Sequence, residues 1–188
     1  MSNTERSQRI LWVDLEMTGL DLKKDAIIEM ACIITDKDLN IIEKGPDIVI
    51  HQSDELLNSM DDWCTKTHGG SGLTKKVQDS KISTKEAEQI MVDFVKKHID
   101  KRTVPLAGNS IGTDRNFLEK EMPLFSQYFH YRVIDVSSIK ECAKRWFPNI
   151  LKQSPQKQNT HRALDDIEES IQELKYYRSS LFPNKDIE

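Results

Sequence analysis

With 188 residues, 31% of them charged and a formal net charge of -4, the chain has room for one cored domain and lacks the basic excess that grips long nucleic acids. Any polyanionic partner is therefore expected to be short, with few phosphates to neutralise. Cys32, Cys64 and Cys142 form no C-x-x-C pair and are odd in number, which argues against a disulfide scaffold and for a reducing compartment.

Met1 to Arg9 is polar, without the apolar run of a secretory signal, and no stretch approaches the length of a bilayer span. A soluble, cytoplasmic protein is expected. A mitochondrial location would require a longer precursor, since Glu5 and the lack of an amphipathic pattern do not suit a presequence. Ile10 to Leu15, Ala26 to Thr35 and Ile41 to Ile50 are rich in apolar and β-branched residues and read as three strands, the last two joined by a hairpin turn over Asp36 to Asn40. The period then changes. Ser83 and Glu86 form a capping box, and Ala87, Ile90, Met91, Phe94 and Val95 recur at helical spacing, predicting a helix that ends near Asp100.

Val104 to Ala107 reads as a strand, and Gly108-Asn109-Ser110 as a turn into a helix carrying Phe117 and Leu118. Tyr131 to Val136 is the next strand, and Ser137 to Phe147 a helix stopped by Pro148. Asn149 to Asn159, rich in Gln, Lys, Asn and Pro, reads as a mobile loop before a long helix from about Arg162 to Arg178. The fold class is α/β, a mixed five-stranded sheet flanked by helices, with residues 1–188 forming a single domain whose core spans about 10–182.

Several carboxylates stand where hydrocarbon would be expected to continue. Asp14 and Glu16 lie two apart on a strand, so both leave the same face, and one hard cation can reach both. Alone, the pair is better read as simply ending a strand at the surface. Asp114 sits just after a strand and turn, where it could merely complement a helix dipole. His161, Asp165 and Asp166 open the last helix, whose buried stripe is Leu164, Ile167, Ile171 and Leu174. Both acids lie off that stripe, and spacing does not choose between them.

Order and composition together carry more than any one motif. The segments Asp14-Leu15-Glu16-Met17-Thr18-Gly19-Leu20, Gly108-Asn109-Ser110-Ile111-Gly112-Thr113-Asp114 and His161-Arg162-Ala163-Leu164-Asp165-Asp166 resemble the DEDDh exonucleases, which have an RNase H-like fold. The resemblance runs from about Ile10 to Phe182. Trp63-Cys64-Thr65-Lys66-Thr67-His68 and His130-Tyr131-Arg132-Val133-Ile134-Asp135-Val136-Ser137 extend it to the branch that digests very short RNA.

That resemblance implies that Asp14, Glu16, Asp114 and Asp166 hold two divalent cations, Mg²⁺ or Mn²⁺, while His161 acts as general base. It selects Asp166 over Asp165. It further implies that Leu20 wedges between two bases flanked by Trp63, and that Tyr131 reaches in from the second subunit of a homodimer to join the catalytic set. Ser110, His68, Arg132 and Ser137 would cap a 5′ phosphate, Arg132 and Ser137 coming with Tyr131 from the partner. Core packing is the competing reading for Trp63 and Tyr131. Lys75-Lys76 and Lys96-Lys97 read as solvated faces, and Cys32 and Cys142 as core residues.

Three rival readings remain at this stage. A DNA-directed exonuclease of the same superfamily would use the same metals. A catalytically silent RNA-binding module would gain nothing from clustered negative charge where phosphates dock. A zinc site on Cys64 and His68 lacks a second Cys or His pair at finger spacing.

Overall fold

The computed structural model describes residues 3–156 and 161–182. Five strands, β1 (Ile10–Met17), β2 (Ile27–Thr35), β3 (Ile41–Val49), β4 (Val104–Gly108) and β5 (Phe129–Asp135), form one sheet in the order β3-β2-β1-β4-β5. β1, β2 and β3 pair antiparallel, whereas β1, β4 and β5 run parallel, so the sheet is mixed as the strand pattern predicts. Asp36 makes the β2-β3 hairpin by accepting the N–H groups of Asp38 and Asn40 on one carboxylate oxygen.

The alternation of β1 divides its side chains between two layers. Leu11, Val13 and Leu15 pack with Met30, Cys32 and Ile34 of β2 beneath α5 (Thr84–His98) and α6 (Gly112–Glu121). Trp12 faces the other way with Ala31 and Ile33, under α7 (Val136–Trp146) and α9 (Ala163–Leu181). Its indole N–H donates to Thr35 Oγ1 at 3.0 Å, so that buried polar group is satisfied. The capping box at Ser83 and Glu86 forms as the sequence predicts. Ile90, expected on the apolar face of α5, lies at the surface instead.

The remaining helices are short. α1 (Asn3–Ser7) precedes the sheet, and α2 (Asp54–Asn58), α3 (Asp62–Gly70) and α4 (Leu73–Asp79) lie between β3 and α5, where the sequence reading placed no element. Ser53 and Asp61 cap α2 and α3 through their side chains, and Leu57, Leu73 and Val77 seal this corner against Ile28. The segment after α7 was expected to be a mobile loop. It begins instead as a helical turn, α8 (Pro148–Leu151), pinned where Tyr176 Oη donates to the Ile150 carbonyl at 2.6 Å. Residues 157–160 of that segment lie outside the described residues. Cys142 is also corrected: it is half-buried in a surface groove with Trp146 and Phe147, while Cys32 is a core residue as expected.

Candidate active site

The site begins where two parallel strands part. β1 and β4 are in register at Leu11-Leu106 and Trp12-Ala107, after which β1 continues without β4 as a neighbour. At Gly108 a Cβ would stand 2.9 Å from the Val13 carbonyl oxygen, so β4 needs glycine for its last close approach to β1. Past the fork, the Leu15 N–H has lost a strand partner, and Asp114 Oδ1 accepts it at 3.0 Å. Asp114 is thereby drawn inside, only 6% exposed, rather than complementing a helix end at the surface. The opening at the carboxyl ends of parallel strands is where sheets of this class bind ligands.

Asp14 and Glu16 leave β1 on the α9 side, the face they share with Trp12. Directly opposite Glu16 in the antiparallel pair stands Glu29 of β2. Like charges facing each other across a ladder repel, and both of these carboxylates are buried. Burial, followed by the charges of Asp166, Glu29 and Asp114, pushes the Glu16 carboxyl up to about 8. Burial likewise raises Asp114, with a smaller contribution from the charge of Asp135.

His161 and Asp166 arrive from the start of α9. Ligand atoms of Glu16, His161 and Asp166 all lie within 4.8 Å of one another, the one such group among the described residues. Asp165 is exposed, so the structure brings Asp166 and not its neighbour to the cluster. Asp14 and Asp114 are not members of that mutually close group. Asp14 shares its strand face with Glu16, and Asp114 acts on Glu16 through its charge. Burial and neighbouring charge disfavour ionisation of Glu16 and Asp114, and a donor set made mostly of carboxylate oxygens fits a hard divalent cation.

Beside the cluster is a cavity of about 500 Å³ lined by Glu16, Met17, Leu20, Trp63, Cys64 and His68. Leu20 is 74% exposed and Trp63 60% exposed, so core packing does not explain either. The Trp63 ring meets His161 edge to face at 5.6 Å. The loop bearing Leu20 is braced by Asp25, which accepts from Thr18 Oγ1 at 3.2 Å and from the Asp21 N–H at 2.8 Å. His68 Nε2 donates to the Met17 carbonyl at 2.9 Å, leaving Nδ1 without a hydrogen bond 3.8 Å from Glu16 Oε2. Burial pushes the His68 pKa down, and Cys64, also buried, belongs to no metal-ligand group among the described residues.

The other expected phosphate contacts lie elsewhere. Ser110, with φ 51°, donates from Oγ to Ser137 Oγ of the same chain at 3.2 Å, and Asp135 Oδ1 accepts both their N–H groups. Ser137 Oγ donates in turn to Asn109 Oδ1 at 3.0 Å, and Asn109 Nδ2 to Ser170 Oγ at 2.7 Å. Tyr131 is 66% exposed on the edge strand β5, with the Arg132 guanidinium 5.3 Å over its ring. The cavity lining does not include this strand. Sequence reasoning missed Glu29, Asn109 and Asp135. Glu29 had a signal: it is a lone charge inside nine residues that are otherwise apolar or neutral.

Comparison with known proteins agrees with this geometry. An exonuclease family model, RNase_T, matches residues 11–174. A probable oligoribonuclease of Dictyostelium discoideum is 62% identical over 95% of this chain and 93% of its own length. The mitochondrial oligoribonuclease of Homo sapiens is 54% identical, covering 95% of this chain and 76% of its own, and the oligoribonuclease of Marinobacter nauticus is 55% identical over 97% and 99%. Among solved structures, the metal-free E. coli ExoI-ssDNA complex superposes with a TM-score of 0.66 at 13% identity. It covers 92% of this chain and 40% of the ExoI chain, a likeness that shows the fold alone. The matching family model, the high identity to oligoribonucleases over nearly the whole length and the shared fold have one reading: the chain belongs to the DEDDh exonuclease family, in its oligoribonuclease group.

Proposed function

We propose that the chain is a 3′-to-5′ exoribonuclease that hydrolyses short oligoribonucleotides, dinucleotides above all, to nucleoside 5′-monophosphates by two-metal-ion catalysis. The observation that carries this reading is the convergence of Glu16, Asp166 and His161 beside a cavity with an exposed leucine and an exposed tryptophan. Asp14, Glu16, Asp114 and Asp166 hold two divalent cations, and the oxygen-rich set favours Mg²⁺ or Mn²⁺ over Zn²⁺. When bound, these ions lower the pKa of water, polarise the phosphate and relieve charge on the leaving oxygen.

His161 takes the proton of the attacking water as a bond forms to phosphorus. The P–O3′ bond breaks, and the released 3′ oxygen takes a proton from solvent, leaving a 5′-monophosphate and a chain one nucleotide shorter. Leu20 and Trp63 present apolar and aromatic surfaces to the two bases, a sequence-tolerant grip worth roughly 1 to 3 kcal/mol per stacked base. Tyr131 and Arg132 of a homodimeric partner, with His68, Ser110 and Ser137, the last two hydrogen-bonded to each other in the same chain and so placed together rather than on opposite subunits, close over the 5′ end and exclude longer chains. Residues 10–182 act as one exonuclease domain. The three free cysteines suit a reducing compartment, with cytoplasm the first assignment and mitochondria the alternative.

The test uses 5′-labelled RNAs of two to seven nucleotides with and without Mg²⁺, read as initial rates by length, together with DNA dinucleotides. Rates that fall with length and vanish on chelation support the reading. Equal rates on long strands remove the cap, and preference for DNA transfers the chain to a repair or proofreading role. Mixing Asp14→Ala with Tyr131→Ala protein tests the dimer: partial recovery of activity is expected if Tyr131 serves the partner's site.

A further inference from the structure

The chain immediately around His161 is unusual. His161 lies in the left-handed region at φ 50°, a conformation uncommon for a residue with a side chain. Arg162 is extended, and the helix begins only at Ala163, with no side-chain cap of its own. One carboxylate holds this junction. Glu29, fully buried on β2, accepts Arg162 Nε at 2.9 Å and one terminal guanidinium nitrogen at 2.5 Å, and also takes the Ala163 N–H at 3.2 Å. The two residues that follow the histidine are thus fixed to the centre of the sheet.

The anchor has a definite location. Glu29 stands opposite Glu16, so the contact that sets the backbone after His161 is referenced to the same rung of the ladder as a candidate metal ligand. The histidine ring itself is met edge to face by Trp63 from α3. A planar, forked guanidinium suits this task because two roughly parallel bonds fix orientation as well as distance, which a lysine cannot do. Asp47 lies 3.7 Å from the same guanidinium and adds attraction without a second fork.

We propose that Glu29 and Arg162 are positioning residues for His161: their forked ion pair locks the left-handed turn that presents the imidazole to the site. This rests on the reading of His161 as the general base. Neither residue touches the reacting atoms. Their effect is expected on turnover rather than on substrate binding, because a base displaced by about 1 Å can cost on the order of 10²-fold in rate.

The experiment compares Glu29→Gln, Arg162→Lys and His161→Gln with the parent protein on an RNA dinucleotide with saturating Mg²⁺. It adds proton spectra of the metal-free proteins, in which the His161 Cε1–H line, identified by its loss in His161→Gln, carries a ring-current shift from Trp63. Arg162→Lys is expected to keep a cooperative thermal transition, to lower kcat by about 10- to 100-fold with KM within about twofold, and to move the His161 line toward its unshifted position. Retained charge without the fork should therefore not rescue. If Glu29→Gln does not fold, Arg162→Lys carries the test, since its guanidinium is partly solvent-exposed. An unmoved His161 line, or unchanged kcat in Arg162→Lys, overturns the positioning role. Full activity in His161→Gln would instead overturn the general-base reading on which it rests.

Discussion

The two halves of the central strand fold under different rules. At Leu11 and Trp12, β1 has β2 on one side and β4 on the other, and the side chains from Ile10 to Val13 are apolar and buried. From Asp14 to Met17 the β4 neighbour is gone, acids alternate with Leu15 and Met17, and a carboxylate from α6 takes up the Leu15 N–H. A strand that loses a neighbour must find other partners for its backbone, and here the replacement partner is itself a candidate metal ligand. The fork thus creates the opening and places one acid in it.

Substitutions in each half should separate the two rules. Glu16→Gln, in the acid half, is expected to lower kcat/KM by about 10³-fold or more, since metal-assisted charge stabilisation is worth several kcal/mol. Measured without metal at pH 8, its thermal midpoint should not fall below that of the parent, because a buried like charge has been removed. A midpoint several degrees lower would mean that Glu16 is held by partners of its own and that the halves do not differ. Leu11→Ala, in the hydrocarbon half, is expected to cost about 2 to 5 kcal/mol in urea unfolding. Turnover per folded molecule should stay near the parent value; a collapse in turnover would merge the two halves into one unit.

A third expectation concerns pH. Glu16 in the folded chain titrates at about 8 against an ordinary 4.5, so across that window the folded chain binds more protons than the unfolded one. Stability of the metal-free protein should therefore decline as pH rises from about 5 to 8, by a few kcal/mol at most, each unit being worth about 1.4 kcal/mol. Added Mg²⁺ should raise the thermal midpoint more at pH 8 than at pH 5.5; a larger rise at the lower pH would contradict carboxylate ligation. The smallest effect on stability is expected for Leu20→Ala, within about 0.5 kcal/mol at an exposed site. KM for a dinucleotide should nevertheless rise by about tenfold, or roughly 1.4 kcal/mol, the scale of a leucine covered by a base. An unchanged KM would remove Leu20 from the binding surface.

What the sequence displayed, and what it hid, follows the same division. Strand identities were legible because β1 and β2 are built from apolar and β-branched residues, and the Ser83 capping box announced its helix. The acids were legible as interruptions of such runs, and the resemblance chose Asp166 from its neighbour. Hidden were α2, α3 and α4, whose seven buried or capping positions are spread over short turns too brief to show a period. Yet α3 supplies Trp63 and His68, so one wall of the cavity had no readable scaffold. Glu29 was hidden for another reason. Its partner is 133 residues away in Arg162, and a long-range ion pair leaves no local pattern.

The hydrogen bonds around Asn109 bear on how substrate length could be judged. Its amide joins the serine pair at one end to Ser170 at the other, and Ser170 Oγ donates to the backbone carbonyl of Asp166 at 2.7 Å. The end of the site that would receive a 5′ phosphate and the end that would cleave are thereby tied through two side chains, Asn109 and Ser170. On the proposed function the molecule is a fixed ruler. It would gauge a dinucleotide by the spacing of two marks that hydrogen bonds join.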